Sequence, residues 1–177
     1  MTLERDYLAR VQSILDELCV PPQLCAGRAL SVQPEAEELE IVETGENGRE
    51  YQLVPAAASA WRDLKAAAAR DGIVLKIVSA FRSVDRQAEI VRRKLESGLS
   101  LDAIFAVSAP PGYSEHHTGR AVDIGTSGVR SLESQFEDTP AFRWLTANAG
   151  RFGFVMSYPR DNACGYVYEP WHWCYRG

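Results

Sequence analysis

Ser114-Glu115-His116-His117-Thr118-Gly119-Arg120-Ala121-Val122-Asp123-Ile124 is the stretch on which the reading of this chain turns. Residues 110–119 are polar and punctuated by proline and glycine, which marks a loop. Residues 120–124 read as a strand. Gly119, between them, lets the chain reverse so that His116 and Asp123 converge. Ala121 and Asp123 alternate with Val122, so Asp123 points away from the face that carries Val122. A carboxylate in an apolar strand needs a partner, because burying it alone is costly. Two partners are open at this point: a cation, or backbone N–H groups at the strand end. His117, next to His116 in an extended chain, points the other way and reads as a supporting or exposed group.

Upstream, apolar residues at Leu3, Tyr7, Leu8, Val11, Ile14, Leu15 and Leu18 follow the steps of three and four of an amphipathic helix over 3–18. Residues 19–28, with Pro21, Pro22 and Gly27, read as a connector. Residues 39–42 and 51–54 read as the two strands of a hairpin turned by Gly45, Asn47 and Gly48. Leu39 and Ile41 alternate with Glu40, whereas Val42 falls out of phase. The alanine-rich run 56–70 predicts a helix, with Pro55 at its start and Gly72 beyond its end. Residues 73–78 are β-branched and apolar, the pattern of a buried strand. A second helix over 84–95 has Ser83 as its cap and Gly98 as its stop, and a short one over 101–107 is capped by Ser100.

Downstream, Asp138, Thr139 and Pro140 start a helix over 140–152, and residues 154–157, 165–169 and 172–175 read as short strands. Helices dominate the first part and hairpin-like pieces the last, with no regular βαβ rhythm. This predicts an α+β fold: a small single domain with a central, mainly antiparallel sheet and helices packed around it.

The bulk properties agree with one such domain. The chain has 177 residues, 46% hydrophobic and 24% charged, enough to bury a core without staples. A net charge of −5 argues against a generic nucleic-acid binder, which needs clustered Lys and Arg. No apolar run approaches the roughly 18 residues of a membrane span. The acidic start, Met-Thr-Leu-Glu-Arg-Asp, is unlike a signal peptide, so the expected location is cytoplasmic, with a periplasmic or extracellular one as the alternative had a leader been removed. Cys19, Cys25, Cys164 and Cys174 contain no Cys-x-x-Cys pair and read as free thiols; Cys164–Cys174 and Cys19–Cys25 bridges are the alternative in an exported chain.

His172 lies in Tyr-Glu-Pro-Trp-His-Trp-Cys-Tyr, again near a carboxylate. Two imidazoles and one carboxylate around an open fourth position are the ligand set of a catalytic zinc. Hydrolysis there also needs a base near the metal, a role open to Glu169; the alternative is a surface carboxylate on an aromatic edge strand. Cys174, two positions after His172, shares its face if the strand is regular, but a carboxylate already fills the third place. Arg82, between a strand and a helix, suits a substrate carboxylate or an oxyanion; the alternative is a surface arginine paired with Asp85. Gln87 and Ser83 share that junction.

Together, Ser114-x-His116-x-x-Gly119-x-Ala121-x-Asp123 and Glu169-Pro170-Trp171-His172 resemble the zinc D-alanyl-D-alanine carboxypeptidases, a family that includes D,D-dipeptidases, L,D-carboxypeptidases and phage lytic peptidases. Phe81-Arg82-Ser83 with Gln87 is similar to the family's upstream Tyr-Arg-Ser…Gln element, with Phe for Tyr. The resemblance runs over 73–176, the motif-bearing core; residues 1–50 form an N-terminal helix and hairpin extension. It implies that His116, Asp123 and His172 bind one zinc with water in the fourth place. Glu169 is then the catalytic base, and Arg82 binds the scissile carbonyl and its tetrahedral intermediate. Ser114 and Gln87, with Arg82, hold the substrate's terminal D-alanine.

The implied substrate is a peptidoglycan stem peptide or muropeptide, cut before its C-terminal D-alanine. Tyr113, Ser157, Tyr158, Tyr166 and Trp171 are candidate lining residues. A wall-lysing endopeptidase and a non-catalytic zinc-bearing binding domain are the competing functions. Glu169 and Arg82 count against the second.

Overall fold

A computed structural model describes residues 5–177. The first helix, α1, spans Arg5–Glu17 and buries Val11 and Leu15 as its periodicity predicts; Leu3 lies outside the described residues. The expected connector contains a short helix α2, Pro22–Ala26, because Pro22 occupies a first-turn position whose fixed φ favours a helix. The hairpin is β1, Glu40–Thr44, and β2, Glu50–Leu53, paired antiparallel as a separate two-stranded sheet. Its register slips between Ile41 and Glu43. That bulge explains the phase of Val42: Val42 packs on the core, while Ile41 is exposed, contrary to the alternation read from sequence.

Helix α3, Pro55–Arg70, follows directly and buries Trp61, Leu64 and Ala68. The next strand, β3, is Lys76–Ser79 rather than 73–78. It is not a buried strand: it lies at the edge of the four-stranded sheet, whose order is β3-β4-β6-β5, and Val74 before it is 55% exposed. Helix α4, Val84–Glu96, starts at Ser83, whose side chain accepts from the Arg86 N–H, and α5 spans Leu101–Ala106. The loop before β4 contains a 3-10 turn, Glu115–Thr118, and β4 itself is Ala121–Gly125. A further 3-10 turn, Ser134–Asp138, precedes α6, Pro140–Asn148, whose predicted tail becomes the 3-10 turn Ala149–Phe152.

Strands β5, Phe154–Met156, and β6, His172–Tyr175, complete the sheet, and every pairing is antiparallel. Residues 165–169 do not form the expected strand. Their amides reach scattered partners instead: Tyr166 the Asn162 side chain, Val167 the Ala106 carbonyl, Glu169 the Tyr158 carbonyl. No ladder forms, and Pro170 has no N–H to extend one.

One face of the four-stranded sheet sends Ile77, Val122, Ile124 and Trp173 into a core shared with α3 and α6. A second core joins Val11 and Leu15 of α1 to Val84, Ala88 and Val91 of α4 and to Ile104 and Phe105 of α5. The other sheet face is thereby left for polar side chains. Among the described residues no helix is long and apolar enough to cross a membrane.

Candidate metal centre

Asp123 of β4 faces His172 of β6 across the antiparallel pair, with Val122 opposite Trp173 beside them. Strand alternation therefore turns Asp123 and His172 to one face while Val122 and Trp173 enter the core. His116 reaches the same face from its 3-10 turn. Ser114 caps that turn, its Oγ accepting from the His116 N–H at 3.3 Å. Gly119 ends it with φ 63; a Cβ there would stand 3.0 Å from both Leu39 and Val54. A left-handed residue at so close an approach has to be glycine. One donor atom from each of His116, Asp123 and His172 then lies within 4.8 Å of the others, and all three residues are buried.

The remaining ring nitrogens fix what those donors are. His116 Nδ1 lies 2.7 Å from the Ala80 carbonyl, which can only accept, so Nε2 carries the lone pair, 3.2 Å from Asp123 Oδ2. His172 is the reverse. Its Nε2 lies 3.0 Å from Glu115 Oε2, and its Nδ1 turns to Asp123 Oδ1, also at 3.0 Å. Two ring nitrogens and a carboxylate thus converge on one point, where a proton on His172 or a metal cation satisfies them, and both outer nitrogens are held by acceptors as in metal-binding histidines.

The electrostatics agree. Burial opposes charge on both Asp123 and His172, yet the two histidines hold Asp123 well below the carboxylate range, and Asp123 with Glu115 pushes His172 up to about 10. A site with this balance is short of positive charge. Its donor set, two nitrogens and one oxygen, fits zinc.

Glu115 escaped the sequence reading, where it is the unspecified residue between Ser114 and His116. It is 9% exposed. Its carboxylate accepts from Ser157 Oγ at 2.6 Å and from His172, and pairs with Arg176. Burial works to raise its pKa, but His172, Ser157 and Arg176 together hold it at about 2. The only signal in the sequence is a carboxylate next to the histidine pair, and nothing there says that it turns inward.

Glu169 stands at the rim, Oε2 4.0 Å from His172 Nδ1, and burial pushes its carboxyl up to about 7. Arg82 lines the same cleft, about 420 Å³, with Ser114, the three candidate ligands, Tyr158, Tyr166 and Trp171. Asp85 pairs with Arg10 at 2.6 Å, so the alternative partner for Arg82 is taken. The Arg82 Nε is buried without a hydrogen-bond partner. Its backbone is stitched to the 3-10 turn: the Arg82 N–H donates to the His116 carbonyl, and its own carbonyl lies 2.6 Å from His117 Nδ1.

His117 is thus neither exposed nor a ligand. It is fully buried, and its Nε2 accepts from the Gly112 N–H at 3.1 Å. Gln87 sits behind the cleft wall, Nε2 donating to the Ala109 carbonyl at 2.7 Å and Oε1 buried without a partner. Cys174 shares the face of His172 but lies beside Glu115, and burial pushes its thiol up to about 12, which keeps it protonated. All four cysteines are free, so neither candidate bridge forms.

Comparison with known proteins agrees with this geometry. The sequence pattern of the family described as VanY, D-alanyl-D-alanine carboxypeptidase, matches residues 50–177. The chain is 39% identical over 124 residues to YodJ of Bacillus subtilis, covering 68% of this chain and 45% of that protein. It is 35% identical over 126 residues to a D-alanyl-D-alanine carboxypeptidase of Enterococcus faecalis, covering 66% and 45%. The chain thus spans about half the length of these curated relatives.

Among solved structures, the LdcB LD-carboxypeptidase, described for its peptidoglycan recognition, superposes with a TM-score of 0.72 at 33% identity, covering 81% of this chain and 70% of that one. VanYB in complex with D-alanine-D-alanine gives 0.64 at 32%, covering 83% and 82%. A variant of the vancomycin-resistance D,D-pentapeptidase VanY in complex with Zn(II) gives 0.62 at 32%, covering 82% and 84%.

Proposed function

This chain belongs to the VanY D-alanyl-D-alanine carboxypeptidase family, and from that premise we propose that it is a zinc-dependent carboxypeptidase cutting before the C-terminal D-alanine of peptidoglycan stem peptides. The observation that carries the reading is the convergence of His116 Nε2, Asp123 and His172 Nδ1 beside a buried carboxylate, Glu169, and a buried guanidinium, Arg82, in one cleft.

His116, Asp123 and His172 would hold the zinc. When bound, it supplies Lewis acidity toward the scissile carbonyl and brings the pKa of water toward neutrality. Glu169 Oε2 takes the proton of the attacking water and returns it to the leaving D-alanine nitrogen. Its burial suits both halves of that task, because a carboxyl raised toward about 7 is a better proton acceptor than an ordinary one and still releases its proton. Arg82 donates to the oxygen on which negative charge builds, from a guanidinium whose Nε has no competing partner. The Ser114 hydroxyl, already accepting from the His116 N–H, has its own proton free for the substrate. The Tyr158 ring lies 4.6 Å from that of His172 and forms part of the cleft lining.

Mass spectrometry of products from synthetic stem tetrapeptide and pentapeptide tests the reading. Loss of one D-alanine, abolished by a chelator, is expected, and Glu169→Gln should lower the rate roughly 10²–10⁴-fold while keeping the zinc. Cleavage inside the stem with the terminal residue retained would favour the endopeptidase instead. Full activity of metal-free protein would end the proposal.

A further inference from the structure

One arginine and one lysine line the catalytic cleft, and the chemistry above uses only the arginine, Arg82. The other is Lys94. Gln87, Ile90 and Lys94 follow one another on α4 at steps of three and four, which places them on one helix face. Ile90 and Lys94 line the cleft directly, and Gln87 lies behind Ala109 in its wall.

The other cations of this helix are paired: Arg86 and Arg93 with Glu89, and Arg92 with Glu17. Among the described residues Lys94 forms no ion pair. Its Nζ donates to Ser108 Oγ at 2.6 Å, one of three N–H groups, and two are left for a ligand. A half-buried ammonium without a counter-ion is a cost to the fold that an anionic ligand removes.

The charge balance says how much anion the cleft takes. Asp123 and Glu169 offset a divalent ion, and Arg82 and Lys94 then leave two positive charges over. The substrate brings one negative charge, the carboxylate at the end of the chain, and the oxyanion at the scissile carbonyl takes over the charge that Glu169 loses on accepting the water's proton. Arg82 is assigned to the oxyanion, and Lys94 is the other lysine or arginine that lines the cleft. Gln87 is neutral, and it sits behind the cleft wall with one of its two amide N–H groups on the Ala109 carbonyl. Ser114 offers a neutral hydroxyl.

We propose that Lys94 is the counter-ion of the substrate's C-terminal carboxylate, the residue that makes this site favour a chain end over a bond inside a peptide. The inference rests on the carboxypeptidase reading above and names the residue that sets its selectivity. Lys94 lines the same cleft as Arg82, Glu169 and the three candidate ligands.

The test compares a stem pentapeptide ending in a free carboxylate with the same peptide ending in a carboxamide. Turnover is measured on the zinc-loaded enzyme, and binding by calorimetry on zinc-loaded Glu169→Gln protein. The wild type should favour the free acid by roughly 10- to 100-fold, mostly in KM, the size of one charged hydrogen bond. Lys94→Met should bring the acid down to the amide while leaving the amide unchanged, and Lys94→Arg should restore most of the difference.

Equal losses on both peptides in Lys94→Met would overturn the inference and make Lys94 structural or a reader of an upstream carboxylate. An undiminished preference for the acid would overturn it too. Should neither peptide be turned over, the calorimetric preference still decides about Lys94, and the carboxypeptidase reading fails separately.

Discussion

Oδ1 of Asp123 and Nδ1 of His172 face each other at 3.0 Å across two neighbouring strands, while Glu115 holds the far nitrogen of the same ring. This opposition is built by strand register. A slip of one residue between β4 and β6 would bring Val122 or Trp173 to this face and send the ligands into the core. The sheet that buries the apolar core therefore also sets the metal site.

Zinc should bind at about one per chain, by analogy with catalytic sites of three protein ligands. Atomic absorption on Cys174→Ser protein should give the same figure, because the thiol stays protonated beside Glu115. Loss of the metal in that variant would show that the ligand set is wrong.

Glu115→Leu should weaken zinc binding by about 10- to 100-fold, the usual cost of removing a partner that orients a ligating histidine. Glu115→Gln retains an acceptor for His172 Nε2 and should recover much of the loss. Competition titration against a zinc chelator distinguishes the two. Equal affinity in all three proteins would mean that His172 is positioned without Glu115.

His117→Ala should retain its zinc and lose stability. It leaves the Gly112 N–H and the Arg82 carbonyl unpartnered in a buried setting, at about 1–3 kcal/mol for each group that water cannot reach. Urea unfolding gives the loss, and metal content shows whether it is separate from the site. His116→Ala should show the opposite pattern, with the metal lost.

Tyr7 ties α1 to the segment beyond it, its hydroxyl donating to the Gln33 carbonyl at 2.6 Å. Burial and the nearby Glu35 push that hydroxyl up to about 12. Above pH 10 the unfolded chain gives up the proton while the folded one retains it, so the contribution is full below pH 10 and falls away toward pH 12. Tyr7→Phe should be less stable at neutral pH and lose less stability between pH 10 and 12. Parallel alkaline titrations of the two proteins, followed by unfolding, check this; identical slopes would refute it.

Much of the site was legible because its chemistry is local. Ser114, His116 and Asp123 fall within ten residues, Gly119 marks the reversal between them, and Glu169 and His172 are three apart. Periodicity located α1, α3 and α4 for the same reason: each helix repeats its buried stripe at steps that the sequence displays. The bounds of β3, the bulge at Val42 and the irregular path of residues 165–169 were not legible. Strand edges and ladders depend on which segment lies alongside, and that neighbour is distant in the chain.

What the sequence by itself determined was the inventory: which side chains can bind a cation, carry a proton or hold an oxyanion, and the helices and turns that present them. Which nitrogen of each histidine faces the centre was decided only by tertiary structure, through the Ala80 carbonyl for His116 and Glu115 for His172. So were the inward turn of Glu115 onto Arg176 and Ser157, the burial of His117 under Arg82, and the place of Lys94 in the cleft. The physical reason is the same in each case. A side chain's type is written locally, but its hydrogen-bond partner is whatever the fold brings opposite it, and burial then makes that partner obligatory.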